Sequence, residues 1–158
     1  IGDAYMAAGG LPTPNETHAI DCVLAALKLA AHMESERIRR QELGLPVWPI
    51  RIGIHSGPLV AGVIGQEKFS YDVWGDTVNT ASRMESSGAP GRINISQDTY
   101  ELVKEYFDCE YRGAITAKNK GEIEMYFVNG IKPEYEKQTG SLGAQSRFLE
   151  HYRQSAAG

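Results

Sequence analysis

Between Glu16 and Leu43 the apolar residues Ile20, Val23, Leu24, Leu27, Ala31 and Ile38 mostly keep the spacing that lines one face of a helix. Gly44 and Pro46 end that pattern. The period then changes. Ile50, Ile52 and Ile54 alternate with Arg51, Gly53 and His55, which predicts a strand. Leu59–Ile64 and Phe69–Val73 are two further extended runs, joined by the polar turn Gly65-Gln66-Glu67-Lys68. A second helix is predicted over Asp76–Ser87, with Asp76 as N-cap and Gly88 and Pro90 as its stop. Ile93 and Ile95 make a short strand, and Ser96 can cap a third helix carrying Leu102, Val103, Tyr106 and Phe107.

Cys109–Thr116 and Ile123–Val128 read as a closing hairpin around Lys118-Asn119-Lys120-Gly121. At the other end, residues 1–8 read as half of a hairpin, followed by a loop over Gly9–Asn15. After Pro133 the chain turns polar. Gly140–Gly143 is a flexible joint, and Phe148–Arg153 a short helix or linker stub. Strands and helices are mixed, with several hairpins. The predicted class is α+β, a mainly antiparallel sheet with helices on one face.

Composition narrows the partners. A chain of 158 residues suits one domain with a real core, and its net charge of −4 gives no support to a nucleic-acid partner. Arg37, Arg39 and Arg40 are interleaved with Glu34, Glu36 and Glu42, as on the wet face of a helix. Cys22 and Cys109 lack the paired spacing of a zinc site and read as buried free thiols in a reducing compartment. No run approaches the roughly 20 apolar residues of a membrane span, so a cytoplasmic location is expected. The chain opens on Ile1 within a hairpin-like segment, which reads as a fragment or a processed chain.

The most informative chemistry lies in FSYDVWGDTVNTASRMESSG, Phe69–Gly88, where an apolar strand runs into the second helix. Asn79 and Arg83 are four residues apart there, about 40° from each other around the helix axis. A neutral amide and a fixed cation thus project together beyond the end of a strand, as suits orienting a hydroxyl and stabilising a phosphate. On spacing alone, a solvated helix face with an ordinary arginine is the commoner outcome. Gly53, Gly57, Gly62 and Gly65 lie on strands and turns, not before a helix N-terminus, so they do not make a phosphate loop. The four histidines show no triad or metal spacing, and His55 reads as structural. Trp48 and Trp74 read as core or dimer-interface residues.

Three strings in order, IGDAYM, IRIGIHSGPLVAGVIG and FSYDVWGDTVNTASRMES, resemble the catalytic domain of class III nucleotidyl cyclases. The resemblance covers residues 1–131 and leaves 132–158 as a C-terminal extension or linker. It implies a ferredoxin-like cyclase core and a head-to-tail homodimer with active sites built from both protomers. The implied reaction converts a nucleoside triphosphate to its 3′,5′-cyclic monophosphate and pyrophosphate with two divalent cations, Mg²⁺ or Mn²⁺.

Under the resemblance, Asp3 matches a metal-binding aspartate, Asn79 the ribose-orienting residue and Arg83 the group that meets the α-phosphate. Lys118 matches a lysine on the terminal phosphates, although Asn119 stands where similar proteins often have Gly. Asp72 matches the residue that reads the base. A carboxylate only accepts hydrogen bonds; adenine offers a donor at N6 and guanine an acceptor at O6, so Asp72 favours ATP. The reading is therefore an adenylyl cyclase. A guanylyl cyclase and a non-catalytic cyclase-like module are the alternatives.

The resemblance further implies a first strand, a first metal aspartate and a base-selecting lysine upstream of Ile1. That strand would be flanked by strands this chain contains, so the 158 residues alone would be catalytically incomplete. A sensor or membrane segment further upstream is also expected.

Overall fold

A computed structural model describes residues 4–64, 70–117 and 121–136. The long helical pattern forms α1, His18–Glu42, and the alternating isoleucines form the short strand β1, Ile52–Ile54. Next come β2 (Val60–Ile64), β3 (Ser70–Trp74), helix α2 (Asp76–Ser86), β4 (Ile93–Ser96) and helix α3 (Gln97–Val103). The long strands β5 (Phe107–Ala117) and β6 (Gly121–Ile131) follow, then one turn of helix, α4 (Pro133–Glu136).

Four strands make one sheet in the order β1-β4-β6-β5, and β2 and β3 pair antiparallel as a separate ribbon. Among the described strands only the β1–β4 pair runs parallel, with Ile52 beside Ile93, Gly53 beside Asn94 and Ile54 beside Ile95. The class is α+β with a mainly antiparallel sheet, as the sequence pattern predicts.

Side-chain alternation along β1 and β4 divides the packing between two faces. On one face, Ile93 and Ile95 join Ala19, Ile20, Val23 and Ala26 of α1, together with Val103, Phe107 and Val128, in the main core. Ile52 and Ile54 pack against the same cluster. Gly53 and Asn94 point the other way, toward α2. The expectation of helices on one face is thus corrected: both faces of β4 are buried, and α2 covers the one that α1 and α3 do not.

Three local expectations also change. Residues 4–8 carry no strand, and Tyr5 is 90% exposed; an extended segment needs a ladder partner, and none of the described strands pairs with this one. Helix α3 does cap on Ser96, whose side chain accepts from the Thr99 amide, but it ends at Val103. Phe107 is instead the first residue of β5, because the apolar side chains after Val103 satisfy the core as well from a strand as from a helix. Of the two places expected for Trp48 and Trp74, core or dimer interface, the core is excluded: they are 66% and 42% exposed, with Trp48 lying under the Arg40 guanidinium. Tyr135 of α4 packs against the core and lies tilted on Tyr106.

Candidate functional site

The chain leaves β3 at Trp74, turns at Gly75 with φ of 124°, and enters α2. An L side chain rarely adopts that φ, so this corner is built for glycine. Gly75 also takes the N-cap position, and Asp76 becomes the first helical residue instead of the cap expected from sequence. There its carboxylate favours the positive end of the helix, while Thr80 Oγ1 donates to the Asp76 carbonyl at 3.0 Å.

Thr80 and Met84 are the buried residues of α2, four apart on one ridge. Asn79 and Arg83 each precede a ridge residue by one position, about 100° around the axis. Burying the ridge therefore turns Asn79 and Arg83 to the side, where Asn79 is exposed and Arg83 half-buried. About 6 Å of helix rise separates the two. Among the described residues no carboxylate pairs with Arg83 and no side-chain hydrogen bond engages Asn79.

The C-terminal half of α2 is held by the sheet and its flanks. Asn94 Nδ2 donates to the Met84 carbonyl at 2.8 Å, Arg51 Nε lies 2.8 Å from Glu85 Oε1, and Arg112 Nη1 donates to the Ser87 carbonyl at 2.6 Å. The Ser87 amide closes the helix on the Arg83 carbonyl at 2.9 Å. These supports escape sequence reasoning because their partners lie 10 to 34 residues away in the chain, outside any local period.

Asp72 lies on β3 with its backbone opposite Gly62 of β2, three residues before the Gly75 corner. The strand-to-helix unit thus carries Asp72, Asn79 and Arg83 in sequence, whereas Asp3 and Lys118 lie outside the described residues. Among the described residues no group of three or more His, Cys, Asp or Glu side chains is placed to hold a metal ion. None of the helices there is long and apolar enough to cross a membrane.

His55 has the structural place expected for it. Its Nδ1 lies 2.7 Å from Ser96 Oγ and 3.7 Å from Asp98 Oδ2. Ser and Asp both meet the same ring nitrogen, which is not the arrangement of a nucleophilic triad. Beside it a cavity of about 650 Å³ opens among His18, Ser56, Asp76 and Thr77, and neither Asn79 nor Arg83 lines it. Cys22 and Cys109 are free and half-buried, and burial raises both thiol pKa values.

The sequence pattern of the adenylate and guanylate cyclase catalytic domain matches residues 1–130. Guanylyl cyclase C of Sus scrofa is 46% identical over 155 residues, covering 95% of this chain and 14% of that protein. An adenylate cyclase of Mycobacterium tuberculosis (strain ATCC 25618 / H37Rv) is 41% identical over 134 residues, covering 83% of this chain and 29% of that protein. The chain therefore spans less than a third of the length of either relative. In three dimensions it is similar to the guanylate cyclase domain of RhGC from Catenaria anguillulae, solved in complex with GTP. That likeness has a TM-score of 0.70 and 35% identity, over 78% of this chain and 66% of that one. Sequence and fold thus agree, and the chain belongs to the adenylate and guanylate cyclase catalytic domain family.

Proposed function

We propose that this chain is part of the catalytic domain of an adenylyl cyclase, an enzyme that converts ATP to 3′,5′-cyclic AMP and pyrophosphate. The observation that carries the reading is the presentation of Asn79 and Arg83 together on the open side of α2, one corner beyond the strand that bears Asp72. The Asn79 amide both donates and accepts, which suits a ribose hydroxyl and ring oxygen. The Arg83 guanidinium is a permanent, planar cation without a protein carboxylate among the described residues, so its charge is available to an α-phosphate. As the ribose 3′ oxygen bonds to the α-phosphorus, its proton leaves and the bond to pyrophosphate breaks. Negative charge grows on the equatorial oxygens, and a fixed cation there lowers the barrier.

Lys118 is assigned to the terminal phosphates, and Asp3 to the ligation of divalent cations, two in number and either Mg²⁺ or Mn²⁺. When bound, such ions supply charge neutralisation at the phosphates. The proposed assembly is a homodimer, with Asp3 from one protomer facing Asp72, Asn79, Arg83 and Lys118 of the other. The catalytic domain is taken to span residues 1–131, and the polar segment 132–158 to be an extension or linker. Its place is the cytoplasm, with an attached sensor or membrane segment.

Asp72 supports ATP, since an ionised carboxylate accepts from the adenine N6 amino group and opposes the guanine O6. A second reading, guanylyl cyclase, is favoured by the similarity to guanylyl cyclase C. Competition of ATP against GTP in one reaction separates the two. Cyclic AMP as the main product supports the proposal, and a preference for GTP overturns it.

A further inference from the structure

From the contacts beneath α2 we infer that Gly53 and Asn94 form a seat that positions the helix, and that they act in turnover through Arg83. This rests on the role proposed for Arg83. The two residues are in register on adjacent parallel strands, so both address one turn of α2. A methyl group on Gly53 would overlap the Glu85 amide nitrogen and lie 2.5 Å from the Met84 carbonyl carbon and 2.6 Å from the Glu85 Cα. The helix backbone therefore rests directly on the strand, a close approach that only glycine permits.

Beside it, Asn94 is fully buried and donates to the Met84 carbonyl at 2.8 Å, an acceptor that the end of the helix leaves over. The other amide atom, Asn94 Oδ1, is buried with no hydrogen-bond partner among the described residues. A buried polar group kept at that cost marks a specific task at the position. The residues seated are Met84 and Glu85, and Arg83 is the residue before them. Ordinary contact needs 3.4–4 Å, so a side chain at Gly53 displaces this turn by more than about 1 Å, and a displacement of about 1 Å can cost about 10²-fold in rate at a positioned group.

The test compares Gly53→Ala, Asn94→Leu and Arg83→Ala with the double variants G53A/R83A and N94L/R83A, each in the full-length enzyme. Steady-state kcat and KM are read together. Asn94→Leu keeps the side-chain size and exchanges one unpaired buried oxygen, Asn94 Oδ1, for another, the Met84 carbonyl, losing also the weak contact to Met125 Sδ, so this variant decides the matter if Gly53→Ala does not fold. The expected result is a fall in kcat of about 10²-fold for Gly53→Ala and about 10-fold for Asn94→Leu, with KM within about threefold. In the Arg83→Ala background each seat substitution then costs less than about threefold, because the group it positions is gone. Losses that multiply with Arg83→Ala, or that fall on KM alone, overturn the inference and leave the role of Arg83 standing. An Arg83→Ala enzyme with unchanged kcat overturns both.

Discussion

Arg51 Nε lies 2.8 Å from Glu85 Oε1 and joins the residue before β1 to the last turn of α2. Glu85 is two positions beyond Arg83, and this contact commits its carboxylate to another cation. Both side chains are largely exposed, so water and salt weaken the pair. Arg51→Ala is expected to change unfolding stability by less than about 1 kcal/mol in denaturant titrations. A larger loss would mean that the pair holds the helix in place more firmly than its exposure allows.

For Arg83 itself, the effect belongs in the chemical step. Arg83→Ala is expected to lower kcat by about 10²- to 10³-fold, the usual cost of removing one group that meets developing charge, with KM nearly unchanged. Arg83→Lys recovers only part of this, since an ammonium lacks the planar fork. Steady-state kinetics with saturating divalent cation provide the check, and an effect confined to KM would reduce Arg83 to a binding residue.

Asp72 predicts a change of preference without a change of machinery. On the proposed reading, Asp72→Cys removes an acceptor opposite adenine N6 and a repulsion opposite guanine O6. The ratio of kcat/KM for ATP to that for GTP is expected to fall about 10- to 100-fold, the range of one hydrogen bond to a charged group. Parallel assays with each nucleotide measure it. An unchanged ratio would place base selection elsewhere.

Ser96 serves two partners: it accepts from the Thr99 amide and meets His55 Nδ1 at 2.7 Å. Ser96→Ala therefore removes a cap and the 2.7 Å contact to His55 Nδ1. A loss of about 1–2 kcal/mol is expected on unfolding. Ser96→Thr, which keeps the oxygen, should recover most of it. Equal losses in both variants would point to crowding at this buried site.

Cys109 carries a pH signature. Burial first, and then the Asp108 carboxylate, push its thiol up to about 11 from an ordinary value of 9.0. The folded state thus prefers the neutral thiol more strongly than the unfolded chain does. The resulting contribution is complete below pH 9 and is lost as pH rises through about 11. The stability advantage of the wild-type protein over Cys109→Ala should shrink across that window, and alkylation at pH 8 should be slow. A constant difference between the two from pH 8 to 11 would refute this.

The elements with long local periods were legible in the sequence. The 3.6-residue pattern gave α1, the alternating isoleucines gave β1, and the turn residues gave the β5–β6 hairpin, because each signal is contained in neighbouring positions. That Asn79 and Arg83 share one side of α2 follows from the same local period, whereas the roles proposed for them rest on the resemblance of the whole segment and not on the spacing. The supports beneath them were not legible. Asn94 reads as one polar residue between two isoleucines, and only its distance to Met84 gives it a task. The pattern overextends α3 because Tyr106 and Phe107 are apolar at helical spacing yet enter the core from the turn and strand after Val103.

The glycine corner at Gly75 has one consequence beyond local geometry. It lies between Asp72, on a strand whose ladder partner among the described residues is β2, and α2, which is seated on the main sheet. On the proposed reading, the choice of base belongs to the ribbon and the handling of phosphate to the sheet. A substitution on β3 can then retarget the enzyme without moving the helix. Recognition and turnover become separable traits, free to change one at a time, and a single scaffold can give rise to both adenylyl and guanylyl cyclases.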